Sequence, residues 1–481
     1  MPSKDQGKKV FSGMIWSFGE RISAQLVTFI VSVVLARFLL PEDFGAVTLI
    51  MVFITIANVF VSNGFGEALI QKKDASEEDY STVFWCSIIL SILLYFILYL
   101  GAPYIASFYR TEELTFLIRV LSIKLPIASF STIQHAYVSK HMQFKKFFFS
   151  TLLGTVISGV IGILLAYKGF GAWAIVAQYL TNSLIDTIVL LFTVPWRPKF
   201  FFDLQSAKVL LGFGWKMMAS ALINTTYSEL RPLIIGRVYT TGELAHYKRG
   251  AQFPQLFITN INSAVSAVLF PVIASHNESI VEVKRLTRQS LKATAYLVFP
   301  LMVGLAVVAK PLVSILLTDK WLPCVPFLQL ACISYGLQPI QTANCQAIKS
   351  IGRSDVYLRM EIVKKIVGIS LLFAAMNRGV FVIAIADVIA VLFSAIVSMA
   401  PNKRLIDYNI KNQLLDILPS IILSLTMGLA VYCMGMIEMN VYMQIIIQVL
   451  AGIIIYLILS IITKNEMFIY LLRIVKKAVI K

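Results

Sequence analysis

Ala36-Arg37-Phe38-Leu39-Leu40-Pro41-Glu42-Asp43-Phe44-Gly45 separates two apolar runs, and its pattern returns further down the chain, where Gly236-Arg237 stands before Gly242-Glu243-Leu244-Ala245. Other pairs follow in the same order: Ala102-Pro103 with Lys310-Pro311, Ile133-Gln134-His135-Ala136 with Ile340-Gln341-Thr342-Ala343, and Lys168-Gly169-Phe170 with Arg378-Gly379-Val380. Self-similarity at an offset of roughly 200 to 210 residues marks an internal duplication, and that decides the architecture before any single element is read.

Outward from these segments, stretches of roughly 20 apolar residues, enough to cross the hydrocarbon, fall near 11–39, 44–70, 80–107, 114–139, 147–167, 169–194, 208–238, 244–275, 289–317, 322–348, 356–376, 379–400, 414–435 and 441–463. Hydrophobic residues make up 58% of the chain, charged ones 14%, and mean hydropathy is +0.80. A soluble core does not absorb such a composition. The expected fold class is therefore all-α: a polytopic membrane protein of about fourteen spans. Two six-helix repeats form lobes over 1–200 and 201–402, and two further spans with a basic amphipathic tail occupy 403–481. Because six is even, both repeats enter the membrane in the same direction, the parallel arrangement in which a site lies between the halves and one half rocks against the other.

A net charge of +17 would suggest nucleic acid for a soluble chain, but here the basic residues sit in alternate loops. Lys72 and Lys73, Lys140, Lys145 and Lys146, Lys284, Arg285 and Arg288, and Lys403 and Arg404 mark one face. That bias predicts cytoplasmic N- and C-termini and no nucleic-acid partner. Arg237, Lys248 and Arg249 break the pattern, on the opposite side. Met1–Val10 is basic and runs into the first span without a small-residue cleavage site, so no removable signal peptide is expected. The five cysteines are scattered, and the four histidines lack ligand spacing. No metal, cofactor or redox chemistry is expected, and without G-x-x-x-x-G-K-[ST] neither is direct ATP use.

Polar residues follow helical spacing in three spans. Span seven carries Lys216, Ser220, Asn224, Ser228 and Arg231, with Glu229 beside them. Span one carries Ser17, Arg21, Gln25, Thr28 and Ser32, and span eight carries Gln252, Gln255, Thr259, Asn262 and Ser266. Span four holds Arg119, Lys124, Gln134 and His135, with Lys124 and His135 on one face and Arg119 well round from it. An intramembrane cation is costly unless it faces a bundle interior or water, so these residues point to a hydrated cavity. Guanidinium and ammonium donors suit an anionic cargo such as a pyrophosphate or acidic sugar. Snorkelling is the competing reading for Arg21 and Arg119, near span ends. Among the few carboxylates within spans, Glu229, Asp186 and Asp387 are the candidates for holding a coupling proton or sodium ion. The small residues Gly154, Ser158 and Gly162 in span five read as packing.

Trp16-Ser17-Phe18-Gly19, the Ala36–Gly45 segment, Asn63-Gly64-Phe65-Gly66-Glu67-Ala68-Leu69-Ile70 and Val268-Leu269-Phe270-Pro271-Val272 together resemble the polysaccharide transporter family of the multidrug/oligosaccharidyl-lipid/polysaccharide exporter superfamily. The likeness is to its colanic-acid, teichuronic-acid and O-antigen type flippases. It implies a non-enzymatic protein of the bacterial cytoplasmic membrane that moves an undecaprenyl-pyrophosphate-linked oligosaccharide repeat unit outward for surface polysaccharide synthesis. Its implied partners are membrane lipids, a proton or sodium gradient, and polysaccharide polymerase and export machinery. It also starts span eight close to Glu243, which places Lys248 and Arg249 within the helix and removes the charge anomaly. The rivals are a small-molecule drug exporter, which requires acidic cavities, a membrane-embedded glycan polymerase, which requires a large outer loop, and a non-transporting scaffold.

Overall fold

The computed structural model describes residues 4–62, 66, 69, 72, 75–141, 143–276 and 279–479. Glu67 lies outside the described residues, as do the side chains of Ser17 and Arg21. Every long element described is a helix, as lipid demands of a chain that must pair its own backbone polar groups. In unit 1 these are α1 Lys4–Phe38, α2 Pro41–Ser62, α3 Glu77–Phe108, α4 Leu114–Leu121, α5 Lys124–Lys140, α6 Lys145–Tyr167, α7 Ala172–Thr193 and α8 Leu204–Val238. Helix α9, Thr241–Ala274, leads into α10 Ile280–Val307, α11 Ala309–Leu317, α12 Val325–Gly336, α13 Gln338–Ser350, α14 Ser354–Ala375, α15 Val380–Met399, α16 Ile410–Met434, α17 Val441–Ile462 and α18 Glu466–Val479.

Over its described residues, each expected span falls on one helix or on a helix interrupted once; most of span two beyond Ser62 lies outside the described residues. Ten, counted among the described residues, are long and apolar enough to cross a membrane. Helices α1, α8 and α14 and the α12–α13 pair fall outside that set, and α1 and α8 are two of the helices with polar stripes. Three expectations are corrected. Span four is not continuous, because a turn at Ser122-Ile123 separates α4 from α5; span ten breaks at Leu337. Span nine begins at Ile280, so Lys284, Arg285 and Arg288 are helical residues and not loop.

The duplicated segments share local geometry. The Leu40 amide donates to Asp43 Oδ2 at 3.0 Å, and the Thr240 amide donates to Glu243 Oε2 at 3.1 Å. Each carboxylate thereby accepts from an otherwise orphaned N–H at a helix start. Gly169 and Gly379 both take positive φ, +80° and +109°, a conformation that a Cβ makes costly.

The chain forms two compact units, Met1–Ala245 and His246–Lys481. In unit 1, α6 packs on α1 and α7 through small residues: a Cβ on Gly154 would meet the Asn182 carbonyl at 3.3 Å, and one on Gly162 would meet Gln178 at 3.1 Å. The start of α8 is tied to α3, with Ser206 Oγ donating to Asp79 Oδ1 at 2.9 Å and the Asp203 amide donating to Thr82 Oγ1 at 3.1 Å. At the other end of α8, Gly45 of α2 faces the residue that opens α9, and a Cβ there would stand 2.5 Å from the Thr241 carbonyl carbon. Only glycine fits against that backbone. Gly45→Val is therefore expected to destabilise the protein by about 1–3 kcal/mol through overpacking, seen as a lower midpoint of thermal inactivation; an unchanged midpoint would show that the approach is not tight.

In unit 2, α10 packs along α16. Asp416, 7% exposed, accepts from Arg288 Nε at 2.6 Å and lies 3.4 Å from Lys292 Nζ. The Tyr408 hydroxyl donates to the same carboxylate at 2.8 Å. Lys292 also reaches Glu466 of α18 at 2.7 Å, and Met467 and Phe468 of that helix pack against Tyr296, Leu423, Met427 and Tyr456. Hydrogen bonding from Lys292 and from Lys284 holds the Glu466 and Asp407 carboxyls below the usual carboxylate range. A carboxyl depressed in the folded state contributes stability above its ordinary pKa, so these contacts persist at neutral pH and are lost as pH falls through the depressed values.

Candidate functional site

The break between α4 and α5 puts Lys124 in the first turn of α5. It is ten residues from the Leu114 end of a 27-residue span, or about 15 Å at ~1.5 Å per residue. An extended lysine does not snorkel that far. Its ammonium lies 5.0 Å from the centre of the Tyr179 ring of α7. One helical turn further along the same seam, Thr187 Oγ1 donates to the Ile127 carbonyl at 3.2 Å. Farther on, His135 Nε2 meets Asp186 Oδ2 at 3.1 Å. Lys124 and His135 thus face one neighbour, α7, as their spacing predicted. Arg119 points elsewhere: its Nε donates to the Tyr99 carbonyl of α3 at 3.3 Å, and its guanidinium lies 4.6 Å from the Tyr99 ring centre. It sits near the span end and serves the α3–α4 contact.

The His135–Asp186 pair joins a residue the sequence reading placed in span four to one it named for coupling. The histidine is stacked against Phe147 with ring centres 4.8 Å apart. Asp186 is 20% exposed, and its Oδ1 is enclosed without a hydrogen-bond partner.

Helix α8 presents a different surface. Lys216, Ser220, Asn224 and Ser228 are all exposed along one face, and Arg231, half-buried, lies 5.7 Å from the centre of the Tyr227 ring. Glu229 beside it is half-buried. An accessible, cation-bearing polar face on a helix among membrane spans suits water or a polar headgroup better than hydrocarbon, in which the charge of Lys216 is costly. Gln25 of α1 is half-buried.

In unit 2 the α9 stripe divides. Gln255 is exposed, while Gln252 Oε1 accepts from Arg249 Nη1 at 2.7 Å. Asn262 Nδ2 donates to Gln338 Oε1 at 3.0 Å, and its Oδ1 accepts from Thr342 Oγ1 at 3.3 Å. Asn262 therefore braces the α12–α13 break. Because α9 starts at Thr241, Lys248 and Arg249 lie within the helix. Arg249, only 6% exposed, lies 4.9 Å from the centre of the Trp321 ring. Asp387 accepts from Ser334 Oγ at 3.4 Å. Of the three carboxylates named for coupling, Asp186 stands on α7 and Glu229 on α8 of unit 1, and Asp387 stands on α15 of unit 2. Sequence reasoning missed Lys364 of α14, 8% exposed, whose Nζ lies 3.0 Å from Glu361 Oε1 and 3.8 Å from Cys345 Sγ. The i,i+3 spacing of Glu361 and Lys364 was the available signal.

Residues 34–326, more than half the chain, match a protein family described as "Polysaccharide biosynthesis protein". The chain belongs to that family. The teichuronic acid biosynthesis protein TuaB of Bacillus subtilis (strain 168) is 28% identical over 94% of this chain and 95% of its own. The succinoglycan biosynthesis transport protein ExoT of Rhizobium meliloti (strain 1021) is 25% identical over 73% of this chain and 71% of its own. Among solved structures, the lipid II flippase MurJ in an inward closed conformation superposes with a TM-score of 0.78 at 18% identity, over 95% of this chain and 100% of that one. As a member of the polysaccharide biosynthesis family with the MurJ fold, the protein is an all-α, multi-pass membrane protein.

Proposed function

We propose that this polysaccharide biosynthesis protein is a flippase that moves a lipid-linked, undecaprenyl-pyrophosphate-borne oligosaccharide repeat unit across the bacterial cytoplasmic membrane. The observation that carries the proposal is the accessible polar face of α8, Lys216 to Ser228, on a helix among apolar spans. Such a face suits a wet path for a glycan headgroup while the lipid tail stays in hydrocarbon. The family match, and relatives named for teichuronic acid biosynthesis and succinoglycan transport, support that cargo class. Arg21, Lys124, Lys216 and Arg231 supply positive charge for the pyrophosphate or acidic sugars, with Gln25, Asn224, Gln252, Gln255 and Asn262 as neutral hydrogen-bonding groups on the polar faces. Lobes over 1–200 and 201–402 alternate access by rocking, both termini are cytoplasmic, and polymerase and export machinery take up the product.

Coupling runs through His135 and Asp186. The pair joins α5 to α7 at 3.1 Å and leaves Asp186 Oδ1 enclosed without a partner, an acceptor open to a coupling ion. Flipping in proteoliposomes should respond to an imposed pH gradient, and Asp186→Asn should remove that response while leaving gradient-independent exchange of the lipid-linked substrate. A pH response that survives in both Asp186→Asn and His135→Gln would remove the pair from the mechanism.

A further inference from the structure

A second site lies in unit 1, at the end marked by the basic loops and away from the α8 face. A cavity of about 420 Å³ opens between the start of α3 and the ends of α5 and α7, lined by Glu77, Tyr80, Tyr137, Lys140, His141 and Trp196 among others. That size falls within the range of about 300–1,000 Å³ typical of small-molecule sites. Three aromatic rings form its wall, Tyr80 standing 5.9 Å from Tyr137 and 6.0 Å from Trp196 between ring centres. The Tyr80 hydroxyl and the Trp196 indole N–H are both buried without a hydrogen-bond partner, in side chains only 4% and 6% exposed. Buried polar atoms are nearly always paired, so two orphans in one cavity wall point to a partner that arrives from outside the chain.

The charges state its sign. Lys140 Nζ donates to the Lys72 carbonyl at 2.6 Å and lies 6.0 Å from the Tyr80 ring centre, which leaves two of its three protons for a ligand. His141 is stacked on Tyr137 at 4.0 Å and engages the Tyr137 carbonyl through Nδ1 at 2.9 Å, which leaves Nε2 available. Among the described lining residues the one carboxylate, Glu77, is already ion-paired with Lys199. The half-buried Tyr137 ring gives a sugar's C–H face an aromatic surface, and the lysine beside it donates to an anionic substituent. Resting on the flippase reading, we infer that this cavity is a docking site for an acidic sugar of the cargo, engaged before the headgroup reaches the α8 face.

The test uses free saccharides, so that it is independent of flipping. Binding of a glucuronate-containing disaccharide and of its neutral glucose counterpart to purified protein in nanodiscs is measured by saturation-transfer NMR. The acidic disaccharide should bind, and Lys140→Gln with His141→Ala should weaken it about tenfold, the scale of one lost charge-assisted hydrogen bond. His141 is exposed and a glutamine at 140 keeps a donor for the Lys72 carbonyl, so the variant should stay folded. Equal binding of the neutral sugar, unchanged binding in the variant, or equally effective displacement by glycerol phosphate overturns the site. If flipping of the lipid-linked substrate is normal in any of those cases, the flippase reading stands without it.

Discussion

Asp416→Ala is expected to destabilise unit 2 by about 2–4 kcal/mol, because removing one member of a buried ion pair leaves the others uncompensated. Arg288, Lys292 and the Tyr408 hydroxyl all converge on this carboxylate. The figure is set below the full range for a buried pair because Arg288 is 53% exposed and recovers part of its loss in water. Asp416→Asn keeps an acceptor for Tyr408 and should lose less. Thermal inactivation of the detergent-purified variants should rank wild type, Asn, then Ala. Equal midpoints for wild type and Ala would mean that the α10–α16 contact is held by apolar packing alone.

The second large effect concerns transport. Lys124→Ala should reduce export of an acidic polysaccharide at least about tenfold at unchanged membrane abundance, since a charge-assisted contact in a low-dielectric site is worth about 1.5–3 kcal/mol. Truncation leaves the fold in place, because Lys124 touches a ring face and not a buried carboxylate. Lys124→Arg keeps the charge and should retain part of the activity. Adding Arg231→Ala should deepen the loss. Wild-type export from the double variant would remove both cations from the path.

Most of the fold was legible in the sequence because hydrocarbon imposes length and composition on every span. The duplication was legible for a local reason: Asp43 and Glu243 cap helix starts, and Gly169 and Gly379 hold positive φ, so these residue types recur where the backbone requires them. The helix breaks were not legible. The apolar run continues past Ser122-Ile123 with Pro126 as its mark, whereas at Leu337 the chain turns from an apolar helix to one bearing Gln338, Gln341, Thr342 and Asn344, with Gly336 and Pro339 beside the break, a change that a span-length reading passes over. The early start of α10 was missed because Lys284, Arg285 and Arg288 read as loop charges, whereas Asp407 and Asp416, more than a hundred residues away, pair with Lys284 and Arg288 in the helix.

The candidate site divides in the same way. Helical spacing placed Lys124 and His135 on one face and the α8 stripe on another, and the structure agrees. Which residue meets which is a matter of tertiary contact: His135 finds Asp186, 51 positions on, and Asn262 finds Gln338, 76 positions on. Periodicity within one helix carries no information about such pairs. The apolar run at 244–275 already held Lys248 and Arg249 while charge counting set them on the side opposite the basic loops, and the family resemblance resolved the two by starting the span close to Glu243.

The central claim is that the polar faces carry a lipid-linked glycan through the membrane. The direct measurement is the appearance of fluorescent undecaprenyl-pyrophosphate-linked oligosaccharide at the opposite leaflet of proteoliposomes, read by accessibility to a membrane-impermeant glycosidase. The account predicts protein-dependent appearance that is strongly reduced by Lys124→Ala with Arg231→Ala. Appearance no faster than in protein-free vesicles, with the protein shown to be folded, would contradict it.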